Sequence, residues 1–188
     1  IKWNSVRERK VPEDVIYSMQ HRFQIPLYRE GFYDINFYYP YRYRHFCSSE
    51  LEDRMKNVNQ FNPNHEYDLY THCKLTSDYI DKHYLDLSDA DNWEEFGILL
   101  AAADLHDYGK LFTRTFDANK IAHYHNHENV GAYNLLAELD ESYYILHNLV
   151  IYVNYHMIPF AFKNMSDKKK RYYVNLFGLE IWNNLLLL

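Results

Sequence analysis

Apolar positions recur at helical spacing in one block of the chain after another, and this predicts a mostly helical protein. Val15, Ile16, Met19 and Phe23 make the first stripe. Pro12 suits its first turn, Glu13 and Asp14 favour its positive end, and Pro26 ends it. Phe32 to Tyr39 alternates weakly and is rich in aromatic residues, which predicts a strand. Leu69, Cys73, Thr76, Tyr79, Ile80 and His83 share one face of a helix from about Glu66 to Tyr84. Ser88 and Asp91 have capping-box spacing ahead of Trp93, Phe96, Leu99, Leu100 and Ala103, in a helix that Gly109 can close. Asn126 can cap a helix through Leu139, with Val130, Asn134 and Leu135 inward. Ser142 can open another, with Ile145, Leu146, Leu149, Tyr152 and Val153 as its buried stripe, and Asp167 can cap the last, to Leu188. The pattern predicts an all-α domain over 47–188, preceded by a helix/strand appendage over 1–46.

The composition agrees with a folded domain. At 188 residues, with 47% hydrophobic and 24% charged residues, the chain is long and apolar enough for one core, and disorder is excluded for most of it. A formal charge of −6 argues against a general duplex-DNA binder. Cys47 and Cys73 are too few for a disulfide framework, and no apolar run approaches the ~18 residues that span a bilayer. The expected setting is cytoplasmic, with no membrane partner. The unusual entries are 11 His and 20 Tyr, and histidine is the commonest metal ligand.

The sharpest chemical signal is Leu105-His106-Asp107-Tyr108-Gly109-Lys110, directly after the apolar run 98–103. Adjacent residues in mid-helix point ~100° apart. At a helix end, before a glycine turn, His106 and Asp107 can converge on one point, as a metal ion requires. A carboxylate can also bridge two ions, which an imidazole cannot. Lys110 adds a charge suited to a phosphate oxygen. His72 lies on an apolar helix face, His127 opens a helix just after His123, Tyr124, His125 and Asn126, and His156 ends the helix that carries 145–153. Burying these groups unpaired is costly, and metal coordination relieves the cost. Other features have bland readings beside sharp ones. The Tyr/Arg alternation at 39–46 is a packed connector or a base-stacking strip. Lys168 to Arg171 is a solvated helix start or a phosphate patch, and Cys73 is small core filler.

These residues resemble the HD-domain superfamily of metal-dependent phosphohydrolases over about residues 57–188. His72 and the His106-Asp107 pair, within His106-Asp107-Tyr108-Gly109-Lys110, look like its first blocks. His125 to Ala132 looks like the second histidine block of members holding two metals, and Tyr155-His156-Met157-Ile158-Pro159 like the third. Gln60 to His65 is similar to the approach segment of HD domains that act near nucleotides, including those of tRNA nucleotidyltransferases. The resemblance implies an enzyme that hydrolyses a phosphate ester, of a nucleotide or an oligonucleotide end, by metal-activated hydroxide. One or two divalent ions (Mn, Fe, Mg, Ni, Co or Zn) would be held by His72, His106, Asp107, His127 and His156, with Asp107 bridging. Lys110, His125 and His65 would orient the phosphate or protonate the leaving group. The family pattern ends in a further aspartate on the last helix. Here Leu179 to Leu188 stops where it would follow, and Asp167 and Glu180 do not match its position. A non-catalytic HD module that binds a nucleotide or partner is the alternative. Arg7 to Ile16, with Phe23, Pro26 and Glu30-Gly31-Phe32, is similar to the tail of polynucleotide-kinase-type P-loop kinases, although the chain has no phosphate-binding P-loop. A start at Ile1 and the missing aspartate together suit a piece of a longer protein with an upstream kinase domain.

Overall fold

The computed structural model describes residues 8–37, 47–87 and 93–188. In chain order these form α1 (Glu13–His21), a 3-10 turn (Tyr28–Glu30), α2 (Ser48–Met55), α3 (Leu69–Leu87), α4 (Trp93–Leu105), α5 (Lys110–Thr113), β1 (Thr115–Phe116), β2 (Ala122–His123), α6 (His127–Glu138), α7 (Tyr143–Tyr155), α8 (Ile158–Phe162) and α9 (Asp167–Leu187). The protein is mostly helical, as its periodicity predicts. None of the described helices is long and apolar enough to cross a membrane.

The core is built around α7. Ser142 Oγ accepts from Ile145 N and opens this helix, and nearly every residue from Leu146 to Tyr155 is buried. A helix apolar on all sides belongs at the centre of a bundle. It packs against α4 on one side and α6 on the other, and α3 packs on α4. Leu99, Ala102 and Ala103 of α4 meet Leu149, Val150 and Val153 of α7 within one cluster that also takes in Leu69, Cys73 and Ile80 of α3. Tyr79 and His83 do not join that face. Their rings stack on each other at 4.1 Å, and Tyr79 is exposed.

The front segment docks differently from its sequence pattern. No residue of α1 is buried, so its stripe of Val15, Ile16 and Met19 stays near the surface. The anchors are Ile25 and Leu27, just beyond it, which enter the main core. Ile25 N donates to Asn154 Oδ1 at 2.7 Å, and His147 Nε2 meets Pro26 O at 3.0 Å. The expected strand is absent over residues 32–37. Among the described residues no neighbouring strand offers a ladder, and the segment is pinned by the buried Ile35, whose carbonyl accepts from Tyr143 OH. The rest of the predicted strand, the Tyr/Arg connector and the Ser88/Asp91 cap lie outside the described residues.

Three local readings change. Ser166, not Asp167, caps α9, its Oγ accepting from Lys169 N. That helix breaks at Gly178, which has φ 71°, and a Cβ there would stand 2.8 Å from the Arg29 guanidinium of the 3-10 turn. Gly109 does not end α4 as a left-handed cap. Its φ is −62°, and its lack of a side chain serves a close approach described below.

Candidate metal centre

The last residues of α4 run into a tight turn, 106–109, that delivers His106 and Asp107 to one point. The turn then continues as α5. Directly beneath it lies the first turn of α6. A Cβ on Gly109 would fall 1.9 Å from His127 O and 2.6 Å from Gly131 N. Only glycine lets these two backbones touch, and their contact sets Asp107 against His127. Asn126, with φ 59°, makes the left-handed turn that starts α6 and points His127 inward.

Four helices thereby bring four imidazoles to one carboxylate. Asp107 Oδ2 faces His72 Nε2 at 3.2 Å and His106 Nε2 at 3.4 Å. Its other oxygen, Oδ1, faces His127 Nε2 at 3.0 Å and His156 Nε2 at 3.8 Å, and those two nitrogens are 3.1 Å apart. Donors bound to one ion at about 2.1 Å stand roughly 3.0–3.4 Å from each other for right-angled or tetrahedral arrangements. All of these spacings except the 3.8 Å of His156 fall in that range, and two groups could each hold a metal ion: His72, His106 and Asp107, and Asp107, His127 and His156.

The ring tautomers support the same conclusion. Nδ1 of His106 is 2.8 Å from Ala103 O, that of His127 2.8 Å from Tyr124 O, and that of His156 2.8 Å from Val153 O. A carbonyl can only accept, so each Nδ1 carries the hydrogen, and each ring turns its Nε2 toward Asp107. Main-chain anchoring of this kind orients metal-binding imidazoles. Around Asp107 Oδ1, the Nε2 atoms of His127 and His156 stand 3.0 and 3.8 Å away and 3.1 Å from each other, a set of donor atoms that could hold a cation between them.

Burial sharpens this electrostatics. Desolvation opposes ionisation of Asp107, yet charge on His106 and hydrogen bonds from His106, His127 and His72 hold it well below the usual carboxylate range. Burial likewise opposes charge on His106, and the neighbouring Cys73 and Asp107 outweigh it and raise its pKa well above the ordinary value. His156 is pushed down to about 3 by burial, with charge on His106 adding to the effect.

The other predicted residues surround this centre. Lys110, itself buried, donates from Nζ to Asp107 Oδ2 at 2.7 Å and to Gln60 Oε1 at 2.9 Å. His65 packs edge-on to His72, ring centres 5.6 Å apart, and burial followed by the Lys110 charge lowers its pKa. His125 is exposed and stacks parallel to His123 at 5.8 Å. Both line a cleft of about 660 Å³ whose floor is the Asp107 cluster. His65 and His125 thus border the centre without touching the carboxylate. Asp167 and Glu180 do not line this cleft, and Glu180 lies instead in a smaller cavity with Glu95 and Tyr28.

Gln60 is the functional neighbour that sequence reasoning left without a role. It is 2% exposed, and Nε2 donates to Tyr67 O at 3.1 Å, Oε1 accepts from Lys110, and its carbonyl accepts from Tyr124 OH at 2.7 Å. No periodic signal marks a lone buried glutamine. Compared with protein-family models, with curated proteins and with solved structures, the chain finds no match.

Proposed function

We propose that this protein is a metal-dependent phosphohydrolase of the HD-domain superfamily, cleaving a phosphate ester of a nucleotide or an oligonucleotide end. One observation carries the reading. The two oxygens of a single buried carboxylate each face their own pair of imidazole Nε2 atoms, on the floor of a cleft large enough for a small-molecule substrate. A divalent ion bound there supplies Lewis acidity, bringing the pKa of coordinated water toward neutrality and offsetting phosphoryl charge.

The chain's own residues divide the remaining work. Asp107, His72, His106, His127 and His156 hold the ion or ions, and the carbonyls of residues 103, 124 and 153 keep three of the rings in register. Lys110 offers its ammonium to a phosphoryl oxygen, aimed by Gln60. His65, kept neutral at pH 7 by burial and by Lys110, accepts a proton or orients water. His125, at the exposed rim, is the candidate donor to the leaving oxygen.

The test is phosphate release with added manganese, across nucleotides and oligonucleotides bearing 3′, 5′ or cyclic phosphates. Asp107→Asn is expected to abolish release while keeping cooperative unfolding. Retained turnover in that variant refutes the role of Asp107. A second reading, a non-catalytic HD module, rests on the His72 side of the centre. It has three donors, and neither Asp167 nor Glu180 comes near to complete it. Substoichiometric metal in the purified protein together with no release from any substrate would favour it.

A further inference from the structure

Phe160 is an anomaly for a packed domain. It sits on α8, four residues beyond His156, and is 68% exposed at the edge of the cleft. Among the described residues it belongs to no hydrophobic cluster, and no aromatic ring or cation packs on it. Its neighbour Phe162 behaves differently, tilting against Trp182 at 4.5 Å. Met157, also exposed, and Leu188 continue the same apolar stretch of cleft lining.

Most of the other lining residues carry polar groups, among them Tyr67 and Tyr124. Asn62, Asn64 and His65 come from the loop before α3, and Lys110 and Asp107 form the floor. The cleft therefore offers cationic and metal-binding chemistry at its floor and a bare aromatic face at its edge. An isolated phosphate would fill only the floor. The whole lining matches a ligand that is anionic at one end and flat and apolar at the other.

We propose that Phe160 is a specificity-determining residue, a platform on which the flat ring of a nucleoside monophosphate stacks while its phosphate reaches Lys110 and the Asp107 centre. Base–aromatic stacking is tolerant of base identity, so the platform selects for a ring and not for a particular base. This rests on the phosphohydrolase reading and names the part of the substrate that the reaction leaves untouched.

The experiment measures binding by calorimetry to manganese-loaded protein, using two ligands whose carbon–phosphorus bond resists hydrolysis. One is the 5′-methylenephosphonate analogue of adenosine monophosphate, and the other is propylphosphonate, which has no ring. Phe160→Ala is expected to weaken the nucleoside phosphonate about tenfold and leave propylphosphonate unchanged. Phe160→Trp should retain wild-type affinity for both. The side chain is exposed and unpacked, so neither change threatens the fold. Equal losses for both ligands, no loss for either, or failure of the nucleoside phosphonate to bind wild-type protein would each overturn the proposal. Phosphate release from adenosine monophosphate, followed separately, distinguishes the two readings. Tight, Phe160-dependent binding without release removes the hydrolase and keeps the platform.

Discussion

The two sides of the Asp107 carboxylate are built to different standards. On the Oδ1 side both imidazoles, His127 and His156, are buried, both are anchored to main-chain carbonyls, and α6 is held by backbone contact at Gly109. On the Oδ2 side His106 is equally fixed, whereas the side chain of His72 is 33% exposed and Lys110 shares the same oxygen. The first half is pre-organised, so little ordering entropy remains to be lost on binding. The second half opens on the cleft and competes with an ammonium for its carboxylate oxygen. Together they describe one tight, enclosed candidate position beside one that opens on the cleft.

The harshest way to break this comparison is Gly109→Ala. A methyl group 1.9 Å from His127 O must push α6 away from the 106–109 turn. The expected cost is about 3 kcal/mol in urea unfolding, the upper end for overpacking, with loss of the enclosed position. Unchanged stability would mean that the backbones part without strain. A narrower cut uses single ligands under manganese titration by calorimetry. His156→Ala should weaken the tighter step by about 100-fold and leave the weaker one, since that imidazole serves only Oδ1. His72→Ala should do the reverse, at about tenfold, because its partner oxygen keeps His106. Equal effects from the two substitutions would erase the distinction between the halves.

The smallest effect comes from a histidine that serves neither half. His147 is buried among Tyr28, Phe37 and Tyr143 and meets Pro26 O, and burial lowers its pKa below the ordinary value near 6.5. A base whose folded pKa is depressed stabilises the fold fully above its unfolded pKa. That contribution is lost as pH falls through the lowered folded value, because the unfolded chain takes up the proton first. Lowering the pH from 7.5 to 5 should therefore reduce the urea midpoint of the wild type. The drop should be smaller in His147→Gln, which has no proton to gain, and an identical drop in both would exclude His147 as a source.

Periodicity made the helices legible, because burying one face of each block leaves a repeating trace in the order of residues. The pairing of His106 with Asp107 was legible for a similar reason: an ionisable pair at the end of an apolar run has few bland explanations. Inward placement of His72, His127 and His156 followed from the faces and ends of their helices. What the chain hid were contacts between distant segments. Gly109 reads locally as a helix stop, and only the approach of α6 reveals why a side chain is excluded. Ile25 and Leu27 carry the burial expected of the α1 stripe, since docking depends on where the 3-10 turn meets α9 at Gly178. Glu95, bonded to Tyr152 and Asn184 in the core, is another group whose burial no spacing announces.

The glycine contact between the 106–109 turn and α6 also determines how the cleft can move. Where two main chains touch with no side chain between them, there is nothing to rotate, compress or slide. Asp107, His127 and the helix starting at Asn126 therefore travel as one piece, a fixed jaw. If a ligand binds there, adjustment would fall to the opposing elements, the loop carrying Asn62 to His65 and the short helix carrying Phe160. The candidate metal ligands on that jaw would stay still while the rim of the cleft changes.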